Sequence, residues 1–370
     1  MGLLRVLLAL AVVLEHTGGL RGYVMIGGPL AVQAFFIISG FYMGLVLNEK
    51  YDRPALNRAF YANRAIRIYA LYFVFLAVYL TVFVAAQAGS GASPLWPYLE
   101  DTVGAGEKLL LGALNLTVIG QDVPLFLSIR EGHLAPGLMH DGFGRLEPFR
   151  FMLIPVAWSM SLELCFYALA PFIVRRPAGQ IAALLGLSLA ARIVAAGLGL
   201  VQDPFSYRFF PFELALFLAG VLAYKAFAAC PARWESPPAK ALALMVPLAI
   251  AAYPWLLGSW PYDSFFTPAR MGLLALVAAA LPAIHGWSRF SRRDRAIGEL
   301  SYPLYLGHLL VYGLIGGLPA LRGDSALRTL AVAAASLLLA WAVTQVVDSR
   351  IETFRRRLAE KAGAVAKIGA

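Results

Sequence analysis

The chain has 370 residues, 60% of them hydrophobic and 14% charged, with a mean hydropathy of +0.71. That composition excludes a soluble globular protein. The net charge of +10 raises nucleic acid as a partner, but no basic stripe with interleaved aromatics is present; lysine and arginine collect in the cytoplasmic loops of membrane proteins, and nucleic acid is set aside.

Residues 3–20 form the first long apolar run. No small-residue cleavage site precedes the next run, so the segment reads as a spanning helix rather than a removable signal. It holds Arg5 and His16. Eleven positions make three helical turns plus about 20°, which sets both side chains on one stripe, about 16 Å apart along the axis. Ionisable groups at membrane depth are costly and mark function. Arg5 alone suits a snorkelling anchor at the cytoplasmic interface. His16 lies three turns deeper, where anchoring does not explain it, and a neutral imidazole there suits a general base. Glu15 points roughly 100° away and need not contact it.

The second run, 30–47, contains Phe35-Phe36-Ile37-Ile38-Ser39-Gly40-Phe41, in which Ser39-Gly40 permits close approach of another helix. The third, 66–87, follows Asn63-Arg64-Ala65-Ile66-Arg67. The i,i+3 spacing places both guanidiniums on one face, at what reads as a helix start. Guanidinium forks suit phosphates, and a helix N-terminus adds its positive dipole end. Anchoring on the positive, cytoplasmic side explains the same arginines.

The apolar stretch 109–128 is ambiguous. If it does not span, the basic clusters at 48–65, Arg175/Arg176, Arg233/Lys240, Arg289–Arg295 and the tail all fall inside; if it does, every later cluster falls outside. The positive-inside rule selects the first. Residues 88–150 are then one external region, with 109–128 lying in or dipping into the membrane. His133, His140 and Asp141 within it match no metal-ligand spacing, and no metal site is expected. Further runs at 151–173, 180–200, 208–229, 241–258, 268–287, 300–318 and 326–347 complete ten spans. The expected fold is an all-α, polytopic transmembrane helical bundle over 1–350, both termini cytoplasmic, with a basic cytoplasmic tail at 351–370. No repeat and no inverted pair of broken helices is evident. Cys165 and Cys230 read as buried hydrophobes.

Two late segments carry further polar groups. Trp158-Ser159-Met160-Ser161-Leu162-Glu163 continues to Tyr167 and Pro171 and puts a carboxylate in mid-span, where it needs a partner or a water-filled cavity. Ser159, Glu163 and Tyr167 share one face. Ser301-Tyr302-Pro303-Leu304-Tyr305-Leu306-Gly307-His308 places a second imidazole in a span, where a packed, hydrogen-bonded histidine is the commoner case.

Together these segments resemble the membrane acyltransferase-3 family. Arg5-x10-His16 resembles its first-helix signature, Ala31 to Phe41 its second-helix box, Arg64-x-x-Arg67 its cytoplasmic arginine pair, Trp158 to Pro171 its W-S-x-x-x-E segment, and Ser301 to His308 its late SY-x-x-YL-x-H box. Gln33 and Ala31 stand where acidic residues and glycine are common in the family. No appended SGNH esterase-like domain is expected. The resemblance implies transfer of an acyl group, usually acetyl, from a cytoplasmic coenzyme A thioester to a hydroxyl of an envelope or secreted glycan, with acyl-CoA as co-substrate and no tightly bound cofactor. Arg5, Arg64 and Arg67 would hold the donor's phosphates. His16 would act as base or acyl relay, with Glu163 orienting or charge-balancing it, and Trp158, Ser159 and Tyr167 would contact substrate. The expected setting is the bilayer of a bacterial inner membrane. A glycolipid transporter or flippase, or a non-catalytic scaffold, would use some of the same features; coenzyme A binding separates the first from the enzyme, and tolerance to loss of His16 and Glu163 would mark the second.

Overall fold

The computed structural model describes residues 1–91, 93–138, 146–257, 265–316, 318–321, 324–348, 350–351, 353–354 and 357. His140, Asp141 and most of the basic tail lie outside these.

The helices in order are α1 (Gly2–Thr17), α2 (Gly27–Glu49), α3 (Asn57–Ser90), α4 (Trp96–Leu99), α5 (Ala105–Thr117), α6 (Trp158–Ile173), α7 (Ala178–Gly197), α8 (Phe210–Ala229), α9 (Pro237–Leu257), α10 (Pro268–Ser288), α11 (Arg292–Glu299), α12 (Ser301–Ile315) and α13 (Ser325–Val343). A two-stranded antiparallel hairpin, β1 (Leu127–Arg130) and β2 (His133–Pro136), pairs Leu127 with Pro136 in the region between α5 and α6. The architecture is an all-α membrane bundle.

Local chemistry sets the boundaries. Gly18 and Gly19, both at positive φ, end α1, with their N–H groups returned to Glu15 and Leu14 carbonyls. Asp324 caps α13 through Ala326 and Leu327 N–H, and Thr267 caps α10 just before Pro268. The Asp294 carboxylate, on the short polar α11, accepts from the Met1 ammonium and from the N–H groups of Gly2 and Leu3, at 2.7, 2.7 and 2.9 Å. It thereby satisfies the open N-terminus of α1.

Among the described residues, eight helices are long and apolar enough to cross a bilayer: α2, α3, α6 to α10 and α13, counting the turns that lead into α3 and α6 and follow α13. Large apolar side chains such as Phe172, Leu187, Leu248, Trp255 and Leu338 face outward on them, as lipid contact requires. The two remaining expected spans, α1 and α12, have 16 and 15 residues, or about 24 and 22 Å, and are packed inside the bundle.

The ambiguous stretch 109–128 is divided: α5 ends at Thr117, and Val118 and Gly120 at positive φ turn the chain away. Its 13 residues rise about 20 Å, too little to cross. The third span starts nine residues earlier than expected, at Asn57, so Arg64 and Arg67 sit two turns or more inside α3; the helix dipole, which acts within the first turn, does not reach them. Cys230, at the end of α8, is exposed rather than buried, and Cys165 is partly buried.

The close approach expected at Ser39-Gly40 is present. A Cβ on Gly40 would fall 1.9 Å from the Phe217 carbonyl oxygen, and one on Gly220 would fall 1.9 Å from that of Ile37. The two glycines lock α2 against α8 backbone to backbone.

Candidate active site along the helix bundle

The five sequence segments converge on one file of polar side chains. At one end, α3 supplies Arg64 and Arg67. Arg64 is buried, its guanidinium facing the Phe60 and Tyr167 rings, and its Nε lacks a hydrogen-bond partner. Arg67, half-buried, lies within electrostatic reach of Tyr302, whose hydroxyl donates to the Ile68 carbonyl at 3.0 Å. Arg5 reaches the same end by way of α11, its Nη1 3.4 Å from where a Cβ of Gly298 would stand, one turn before Tyr302.

The carboxylate follows. Glu163 Oε1 accepts from Ser39 Oγ of α2 at 2.8 Å and from the Tyr167 hydroxyl. The mid-span acid therefore has its partners, and it makes no contact with His16. The middle of the file is held by Ser159 and Tyr305, whose hydroxyls are 2.8 Å apart; the Val156 carbonyl, 3.0 and 3.2 Å from them, accepts from whichever hydroxyl does not donate to the other. The Phe35 ring packs edge-on to Tyr305. Trp158 lies beside them, its ring under the Arg208 guanidinium.

The far end holds two imidazoles. His16 Nδ1 is 2.9 Å from the Val12 carbonyl, and His308 Nδ1 is 2.8 Å from that of Tyr305. A carbonyl can only accept, so both Nδ1 atoms carry the hydrogen, and in the neutral tautomer this selects, each Nε2 presents its lone pair. The ring centroids are 5.0 Å apart. His308 is fully buried and its Nε2 is without a partner, whereas His16 is exposed at the end of α1. Arg328 of α13 donates through Nε and Nη2 to the Thr17 carbonyl, putting a guanidinium at the C-terminus of α1, next to His16 in the chain. A neutral, oriented imidazole that can be reached from outside is equipped to take a proton.

The structure thus brings Arg64, Glu163 and Tyr167 together, joins Ser159 to the Tyr305–His308 side, and sets His16 apart from Glu163. His308, read from sequence as a packed residue, faces His16 directly. A second polar cluster was missed altogether. Arg192 bonds Glu213; Gln33 Nε2 bonds the same carboxylate at 3.1 and 3.0 Å; and Arg270 Nε donates to Gln33 Oε1 at 3.0 Å, all within the bundle. The signal for it was present, since Arg192, Glu213 and Arg270 all interrupt apolar runs, as Arg5 and His16 do. Among the described residues no group of three or more His, Cys, Asp or Glu is placed to hold a metal.

Neither the curated proteins nor the solved structures contain a match to this chain. A family model does match: Acyl_transf_3, described as an acyltransferase domain, aligns with residues 1–345. That match spans every helix of the bundle and both ends of the polar file, and by it the chain belongs to the acyltransferase-3 family of integral membrane acyltransferases.

Proposed function

We propose that the protein moves an acyl group, most simply acetyl, from cytoplasmic acyl-CoA to a hydroxyl of an envelope or secreted glycan, in the inner membrane of a bacterium. One observation carries the reading: the guanidiniums of Arg5, Arg64 and Arg67 and the imidazoles of His16 and His308 occupy opposite ends of a single file of polar side chains. A donor with a phosphorylated head and a reactive thioester on a long arm has the same two-ended chemistry. Arg64, with an unpartnered Nε in a buried setting, and Arg67 and Arg5 nearby would take the phosphates. The arm would run past Tyr302, Glu163 and the Ser159–Tyr305 pair toward His16.

There His16 Nε2 acts on the acceptor. As general base it withdraws the hydroxyl proton while the oxygen attacks the thioester carbon; the C–S bond breaks, and the proton passes to the departing thiolate. As nucleophile it would carry the acyl group itself. Glu163 does not contact His16, which supports a role for this carboxylate in holding Ser39 and Tyr167 beside Arg64 rather than in turning the imidazole. With ten crossings, both termini and the arginine end face the cytoplasm.

Purified protein in liposomes, given radiolabelled acetyl-CoA and an envelope glycan fraction, tests the reading. His16→Ala should lose transfer about 100-fold or more, the usual range for removing a general acid–base group; wild-type transfer by that variant defeats the mechanism. Arg64→Ala and Arg67→Ala should raise KM for acetyl-CoA more than that for the glycan. Equal effects on both would mark a structural role for the arginines. Thermal stabilisation by coenzyme A distinguishes the enzyme from a transporter, which has no need of it.

A further inference from the structure

His308 has no part in the mechanism above, yet its surroundings are unusual. It is fully buried, its Nδ1–H is committed to the Tyr305 carbonyl, and its Nε2 is an acceptor with no donor. Leaving a buried acceptor unpaired is destabilising, because its desolvation is not compensated. The groups packed around it do not fill the need. Tyr79 of α3 donates its hydroxyl to the Leu306 carbonyl and accepts from Leu310 N–H. Tyr305, on the same helix, is engaged with Ser159 and Val156; Arg208, which lies in the segment before α8 within electrostatic reach of Tyr305, is paired with Asp203; and Arg328 of α13 is bound to Thr17. Among the described residues, no carboxylate contacts either imidazole. The ring facing His308 is that of His16, and it too presents an acceptor.

Two acceptors cannot bond each other, and this changes when His16 gains a proton. Its Nε2 then becomes an N–H donor on a ring whose centroid lies 5.0 Å from that of His308. We propose that His308 is a positioning residue for the transfer reaction, its Nε2 accepting a share, as the second branch of a bifurcated hydrogen bond, of the Nε2–H that His16 carries only while the acceptor's proton is in transit. The inference rests on the functional reading above. The balance is unchanged by it: the hydroxyl O–H breaks, the new O–acyl bond forms, the thioester C–S bond breaks, and the proton held at His16 Nε2 moves to the thiolate sulfur. His308 gains and loses no proton; its acceptor is filled during the step and vacant before and after. An interaction made only as charge develops raises kcat and leaves donor binding alone.

The test uses the full-length protein in liposomes with acetyl-CoA and the same glycan fraction, comparing His308→Leu, which removes the acceptor, with His308→Gln, whose amide oxygen restores one. We expect His308→Leu to lower kcat by about 10- to 100-fold with KM for acetyl-CoA unchanged, and His308→Gln to recover most of the loss, as expected for a hydrogen bond to a charged group. In a His16→Ala background the leucine substitution should cost nothing further. Wild-type kcat in His308→Leu, equal losses in both variants, or an additive loss on top of His16→Ala each overturn the proposal. If the leucine variant does not fold, His308→Met, unbranched and apolar, takes its place in the same comparison. Failure of the functional reading shows differently: His16→Ala then transfers as fast as wild type, and the His308 proposal falls with it.

Discussion

At the residue scale, the bundle tolerates buried charge where partners are complete. Arg192 and Glu213 are 3% and 0% exposed and bonded to each other, with Gln33 and the Ser206 carbonyl taking further contacts. Breaking such a pair from one side costs about 3–5 kcal/mol, because the other charge stays buried. Arg192→Met should therefore lower the unfolding temperature of the detergent-solubilised protein sharply. Adding Glu213→Gln to it should restore part of the loss, since the neutral amide no longer needs the guanidinium. A double-mutant cycle that comes out additive would mean the pair is not coupled. This cluster also shows what reading by motif leaves out. Gln33 was legible as a departure from the family's usual residue, but Arg192, Glu213 and Arg270, each alone in an apolar run, gain meaning only where α2, α7, α8 and α10 meet.

At the element scale, two contacts fix helices against each other. Gly40 and Gly220 let α2 and α8 touch through their backbones, so Gly40→Leu must push them apart. Overpacking of this kind costs about 1–3 kcal/mol or more, and we expect loss of monodisperse protein on size exclusion, with Gly89→Leu, which meets open space, as the harmless control. The second contact is that of Asp294, from α11, with the N-terminus of α1. Burial works against its ionised form, but the hydrogen bonds from the Met1 ammonium and the Gly2 and Leu3 N–H groups outweigh it and hold the carboxyl below its usual range. A lowered folded pKa gives stability that is present above the ordinary carboxylate value of about 4 and lost as pH falls through the folded one. Asp294→Ala should thus lower the unfolding temperature at pH 7, in keeping with the ~0.5–2 kcal/mol of a helix cap, and the gap to wild type should close below about pH 4. Apolar periodicity made most of these helices legible from sequence, and the five motifs named nearly every residue of the polar file. It could not show that α3 begins at Asn57, because Asn57-Arg58-Ala59-Phe60 is too polar to read as span, nor that Val118 would take a positive φ and stop α5.

At the scale of the whole molecule, the eight long helices and the non-spanning α5 make a topology that can be measured. In a cysteine-free background, Glu100→Cys and Glu131→Cys flank α5 and should react with an impermeant maleimide from the same side, and Arg53→Cys, before α3, from the other. Labelling of the two flanking sites from opposite sides would require a crossing at α5. The long helices surround two short ones, and the short ones carry His16 and His308. At about 24 and 22 Å against roughly 30 Å of hydrocarbon, α1 and α12 make the insulation of the membrane thinnest where its polar lining is most continuous. An opening that would admit a hydrophilic acceptor to His16, as proposed above, would also be a place where ions leak. Phe35 and Tyr305, packed edge to face across the middle of the file, then serve as its seal, and liposomes carrying Phe35→Ala should dissipate an imposed proton gradient faster than those carrying wild type.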